Sequence, residues 1–200
     1  MKESLTMSKM VVLYDPGHGE GNGNSSPDGT VVEWVYARQL VAYIVSALRG
    51  EGIDAHILVP ETWDISLSER VRRVNEWCRK VGKDNVALVS VHLNAAGVGK
   101  TWRDASGWLC IIDPSAGDGS KRLAGYLSDE AMGRGLKGNR RQGPVVTKYL
   151  TMTHKTLCAA VLTENMFQDN RKDVELLLSD TGMKKLVELH VEAIKRYCFS

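Results

Sequence analysis

Residues 86–92 (VALVSVH) constrain the fold more than any other stretch, because a strand built from an almost wholly apolar run tolerates water on neither face. Such a strand belongs inside a sheet covered on both sides. Residues 10–14 (MVVLY) and 158–163 (CAAVLT) are two further core strands, while 107–112 (GWLCII) and 55–59 read as strands and 145–151 as an edge strand. Helical periodicity fills the intervals. Glu33, Ala37, Leu40, Val41, Ile44 and Leu48 share one face before Gly50 and Gly52 stop the pattern. Ser66-x-x-Glu69 is a capping box opening a helix with Leu67, Val71, Val74, Cys78 and Val81 inward. A weaker helix covers 121–132, and a terminal one from near Ser179 presents Met183, Leu186, Val187, His190, Ile194 and Tyr197. Strands alternating with helices predict an α/β fold: a mostly parallel, twisted sheet of about six strands packed between helices. With no repeat, low-complexity tract or linker, we draw a single domain over residues 10–200 behind an N-terminal extension at 1–9.

Composition excludes several function classes. The chain has 200 residues and 26 Lys plus Arg against 24 Asp plus Glu, a net charge of +2 that offers no strongly basic face for nucleic acid. No apolar run approaches the roughly 18 residues of a membrane span. The first residues, MKESLTMSKM, contain no apolar core of about 7–15 residues and so do not read as a secretory signal. The cysteines at 78, 110, 158 and 198 form no CxxC clip and read as reduced, mostly buried thiols.

In open α/β sheets ligands bind at the carboxyl ends of strands. Three polar residues occupy such positions here: His18 after the first strand, His92 ending the third, and Glu164 ending the last core strand. Glu33 heads the inward stripe of its helix, so its carboxylate points toward the sheet and needs a partner. Thr30-x-x-Glu33 also fits a capping box, in which Glu33 would merely bond the Thr30 amide, and spacing does not choose between the two. No cluster of basic residues nearby offers an ion pair. Two histidines and a carboxylate are what a catalytic zinc takes, leaving its fourth position to water.

Residues 12–19 (VLYDPGHG), the isolated Glu33, residues 67–71 (LSERV), 90–95 (SVHLNA) and 162–165 (LTEN) together resemble the zinc-dependent N-acetylmuramoyl-L-alanine amidases, the catalytic domain called amidase type 3. The resemblance runs through nearly the whole chain, in order. It implies one zinc ion held by His18, Glu33 and His92, with Glu164 as catalytic carboxylate. The implied reaction cuts the amide between the lactyl group of N-acetylmuramic acid and L-alanine in peptidoglycan.

Other residues carry weaker expectations. Gly17 and Gly19 let the backbone bend so that His18 reaches the metal, and Asp15 is either an outer orienter of the site or a loop hydrogen-bonder. Asn94 and Asn165 adjoin site residues and could position substrate amides, or cap local structure. His154 could reach the rim; His190 and His56 read as structural. Arg134, Lys137, Arg140 and Arg141 form a cationic loop, solvated or in contact with anionic wall polymer. The interval from His92 to Glu164, 72 residues, leaves no room for the inserted helix that plugs the zinc site in some relatives. A monomer is expected, acting on the bacterial wall. The missing leader fits a phage-type lysin released through membrane pores, and fits equally a secreted enzyme whose leader has been removed. The rival readings are a zinc carboxypeptidase or endopeptidase acting within the stem peptide, and a wall-binding module without catalysis.

Overall fold

In the computed structural model, which describes residues 10–22, 24–139, 141 and 143–199, six strands form one sheet in the order β2-β1-β3-β6-β4-β5. They are β1 (Val11–Pro16), β2 (Asp54–Ile57), β3 (Val86–Asn94), β4 (Leu109–Ile112), β5 (Val145–Thr147) and β6 (Ala159–Phe167). The helices are α1 (Glu33–Gly50), α2 (Leu67–Val81), α3 (Asp118–Gly133), α4 (Thr151–His154), α5 (Arg171–Leu177) and α6 (Asp180–Phe199). The extension expected at residues 1–9 lies outside the described residues, as does Arg140 of the cationic loop.

The two-sided burial of β3 sets the layers. Ala87, Val89, Val91 and Leu93 pack into a core shared with α1, α3 and α6, whereas Val86 and Leu88 meet Val74 and Cys78 of α2 and Met152 of α4. Every apolar position of the predicted α1 stripe is buried, because that face lies on the sheet. Ser66 caps α2 by accepting from the Glu69 amide at 3.3 Å. The return half of that box is not made, since the Glu69 carboxylate turns outward to Arg72 and Arg73.

Pairing is parallel throughout except at β4, which runs antiparallel to β6. The strand containing Glu164 does not end there, as we had expected, but continues to Phe167. Its register with β3 slips: His92 pairs with Glu164, yet Asn94 pairs with Phe167. The extra residue is absorbed in a bulge at which Met166 adopts φ +75°, a conformation L-residues rarely take. Two short helices had no signal in the periodicity. One of them, α5, is announced only by its cap, where the Asn170 side-chain oxygen accepts from the amides of Lys172 and Asp173.

Candidate active site

His18, Glu33 and His92 meet at the carboxyl end of the sheet. The Glu33 Oε1 atom lies 3.4 Å from His18 Nε2 and 3.1 Å from His92 Nδ1, and the rings pack edge to face with centroids 5.0 Å apart. Ligand atoms around a tetrahedral zinc, at bond lengths of about 2.0–2.2 Å, sit about 3.3–3.5 Å from one another. The three side chains, whose ligand atoms all lie within 4.8 Å of one another, therefore have the chemistry and nearly the spacing a divalent ion requires.

Glu33 is 1% exposed, and it does not cap its helix as the Thr30 spacing had allowed. The Thr30 hydroxyl is taken up by Asp28, α1 begins at Glu33 itself, and Oε1 also accepts from the Leu93 amide at 3.2 Å. Burial alone would raise this carboxyl, but hydrogen bonds from His18 and His92, together with their charges, hold it well below the usual carboxylate range. His92 responds in kind: burial pushes the ring down, and the bond and charge of Glu33 outweigh it and raise it.

His18 is held in an unusual conformation, φ +58°, by a frame that sequence reasoning missed. Arg70 of α2, 2% exposed, spends all five of its donors. Its guanidinium bonds Asp15 Oδ1 at 2.6 Å, the carbonyls of Pro16, His18 and Ile65 at 2.7, 2.8 and 2.8 Å, and Asp64 Oδ1 at 3.1 Å. Arg38 adds a second guanidinium to the His18 carbonyl at 3.0 Å. Asp15 is thus an anchor of this frame, bonded to Arg70 and on its other oxygen to Ser90, rather than a partner of either site histidine. The string LSERV carried Arg70 in plain view, but only the folded chain gives it acceptors.

The glycines serve close approach instead of bending. A methyl group on Gly17 would stand 2.3 Å from the His92 ring, and one on Gly19 would stand 2.3 Å from the Asp64 backbone.

Glu164 stands beside His92 across the β3–β6 ladder, where neighbouring strands are about 4.8 Å apart. Its side chain is half-buried, yet Oε2 is sealed from solvent and has no hydrogen-bond partner among the described residues. Burial pushes its carboxyl up to about 7, with His92 pulling it back and the Glu33 charge adding to the rise. A buried oxygen left unpaired costs free energy unless something else uses it.

Comparison with known proteins places this geometry. The family described as N-acetylmuramoyl-L-alanine amidase, Amidase_3, matches residues 11–196. The chain belongs to that family. It is 26% identical over 191 residues to the N-acetylmuramoyl-L-alanine amidase CwlM of Bacillus licheniformis, covering 92% of this chain and 67% of that protein. It is 27% identical over 190 residues to the endolysin of Bacillus phage SPP1, covering 94% and 65%. The chain thus spans about two thirds of the length of these curated relatives. Among solved structures, the amidase Ami1 of Mycobacterium smegmatis superposes with a TM-score of 0.84 at 17% identity, covering 96% of this chain and 98% of that one. The N-acetylmuramoyl-L-alanine amidase of Clostridium difficile 630 follows at 0.81 and 23%, covering 95% and 97%. These likenesses share the fold described above.

In this Amidase_3 chain two expected contacts lie elsewhere. His154 is not at the rim. It pairs with Asp113 at 2.9 Å in a cavity bordered by Val86 and Ala159, the first residues of β3 and β6, at the opposite end of the sheet. The cause is topology: α4 precedes β6, so its residues fall at the amino end of the strand. Asn165 is wholly buried and faces away from the site, its amide donating to the His92 carbonyl at 3.2 Å and its oxygen accepting from Trp108 at 3.1 Å. The second contact of that oxygen is His190 at 3.1 Å, a core histidine as expected, which burial pushes down to about 3. Asn94 remains two residues beyond His92, with its oxygen on the Ala95 amide. Of the cationic loop, Arg134 is spent on Glu130 at 2.5 Å, and Lys137 and Arg141 are exposed. Gln168, unremarked in the sequence, donates to Glu33 Oε2 at 3.3 Å and leaves its own oxygen buried without a partner among the described residues.

Proposed function

We propose that the protein is a zinc-dependent peptidoglycan amidase that hydrolyses the bond between the lactyl group of N-acetylmuramic acid and the L-alanine of the stem peptide. One observation carries the reading: a buried carboxylate oxygen on Glu164, unpaired among the described residues, stands next to a His/Glu/His set whose spacing suits a single ion. Membership of an amidase family supports the bond class, and the likeness to an endolysin and to a bacterial amidase supports the wall as the place of action.

A zinc ion on His18, Glu33 and His92 would supply an activated water and polarise the scissile carbonyl. The chain's own residues do the rest. Glu164 Oε2, free of other bonds, takes a proton from the attacking water and returns it to the departing alanine amine, which leaves poorly without it. Arg70 and Arg38 hold the His18 loop so that its ring stays aimed at Glu33. Gln168 fixes the outer oxygen of Glu33. The Asn94 amide nitrogen, on the same strand as His92, donates to a substrate carbonyl.

Metal analysis of the purified chain, with mass spectrometry of digested wall, tests the reading. One zinc per chain and new L-alanine amino termini on intact glycan are expected. Shortened stems with the lactyl amide whole would mean a peptidase and would sink it. A second measurement addresses the geometry: Gly17→Ala should weaken zinc binding about 10- to 100-fold, because the added methyl displaces the His92 ring. Competition with a chelator reads that affinity, and wild-type affinity in the variant would remove His92 from the metal set.

A further inference from the structure

The loop leading from β3 to β4 and the head of α5 enclose a cleft of about 640 Å³, bordered by Trp102, Arg103, Asp104, Asn170, Arg171 and Lys172. Hydrogen bonds tie its walls together. The Arg103 amide donates to the Asp169 carbonyl at 2.7 Å, and Asn170 donates to the carbonyls of Arg103 and Asp104 at 3.0 and 3.1 Å. Asn139 holds the Asp104 carbonyl at 2.7 Å, and Asp173 accepts from the Gly107 amide at 2.9 Å. The charges on these fixed walls are unbalanced. Arg103, Arg171 and Lys172 are exposed, and among the described residues none of them makes an ion pair or a side-chain hydrogen bond. Arg171 lies 4.4 Å over the Trp102 ring, which sets the direction of its guanidinium. Among the described residues Asp104 is the single carboxylate of the cleft lining, against three cations.

Three cations line one cleft whose backbone is already pinned, and an oxyanion placed there meets their summed field without any loop having to be ordered. The cleft also shares its strand end with the candidate active site. Asp169, whose carboxylate accepts from the amides of Ala96 and Gly97, is the neighbour of Gln168, which bonds Glu33. We propose that this cleft is an anion subsite, binding a carboxylate or phosphodiester group of the wall substrate while the amide is held at His18, Glu33 and His92. The identity of the ligand rests on the amidase reading; its charge rests on the cleft alone.

The test compares the full chain with a form carrying Arg103→Gln, Arg171→Gln and Lys172→Gln. Two soluble muropeptides, identical except that the stem carboxylates are free or amidated, give the first pair of substrates. Walls with and without their phosphate polymers give the second. We expect the ratio of KM for the anionic member to KM for the neutral member to rise about tenfold in the variant, and to depend less on salt. A rise on the muropeptides assigns the subsite to carboxylate; a rise confined to polymer-bearing walls assigns it to phosphodiester. Unchanged ratios on both pairs overturn the proposal. Arg103→Gln alone removes no hydrogen bond or ion pair among the described residues and should give part of the shift, which guards against a misfolded triple variant. If neither protein cleaves anything, the amidase reading fails by itself. Equilibrium binding of the same four materials then tests the subsite, and equal binding to both proteins would overturn it.

Discussion

Glu164→Gln should lower kcat on muropeptides by roughly 10²- to 10⁴-fold while leaving zinc stoichiometry at one per chain. The substitution keeps the shape of the side chain and removes its basicity. Because Glu164 Oε2 has no hydrogen-bond partner among the described residues, the change breaks no bond at that oxygen. In the metal-free chain burial disfavours the charged carboxyl, which stands near 7, so a neutral amide fits the site at least as well and the melting temperature of the metal-free protein should hold or rise. Loss of rate with metal and stability retained separates a proton carrier from a ligand. If zinc is lost along with activity, Glu164 belongs to the metal set; if the variant hydrolyses wall at the wild-type rate, the proton goes elsewhere.

Arg70→Met is expected to destabilise the protein by about 3–5 kcal/mol, the usual cost of stranding one partner of a buried ion pair. For a domain of this size that is a fall of roughly 6–20 °C in Tm. The stranded group is Asp15, 1% exposed, left with Ser90 alone. Adding Asp15→Asn should recover part of the loss, since it removes the uncompensated charge, and calorimetry of the two singles and the double closes the cycle. Arg70→Lys separates the charge from the fork. An ammonium restores the attraction to Asp15 but has three donors where five acceptors wait, so stability should return further than zinc affinity does. Equal recovery of both would mean that Arg70 acts on the fold alone and not on the position of His18.

The elements that read well from the chain are those whose signal is local. The stripe on α1, the Ser66 cap and the two-sided apolar run of β3 depend on neighbours within a few residues, and burial in the folded protein follows them. The convergence of His18, Glu33 and His92 was legible in part, because parallel strands deliver their ends to one edge of a sheet. Asn165 follows from alternation once Glu164 faces the site: its side chain takes the opposite face with Thr163, whose hydroxyl it meets at 3.1 Å, and enters the core. The bulge at Met166, one residue further on, has no signal in that alternation.

Periodicity and caps therefore settled the class of fold and most of its elements, since they report what each segment must bury. Position in space settled the remainder: the antiparallel β4, the removal of His154 to the far end of the sheet, the five bonds of Arg70, and the gathering of three cations in the cleft beside α5. Most of the contacts behind them join residues dozens of positions apart. Their energies come from distances that exist only after the layers have packed.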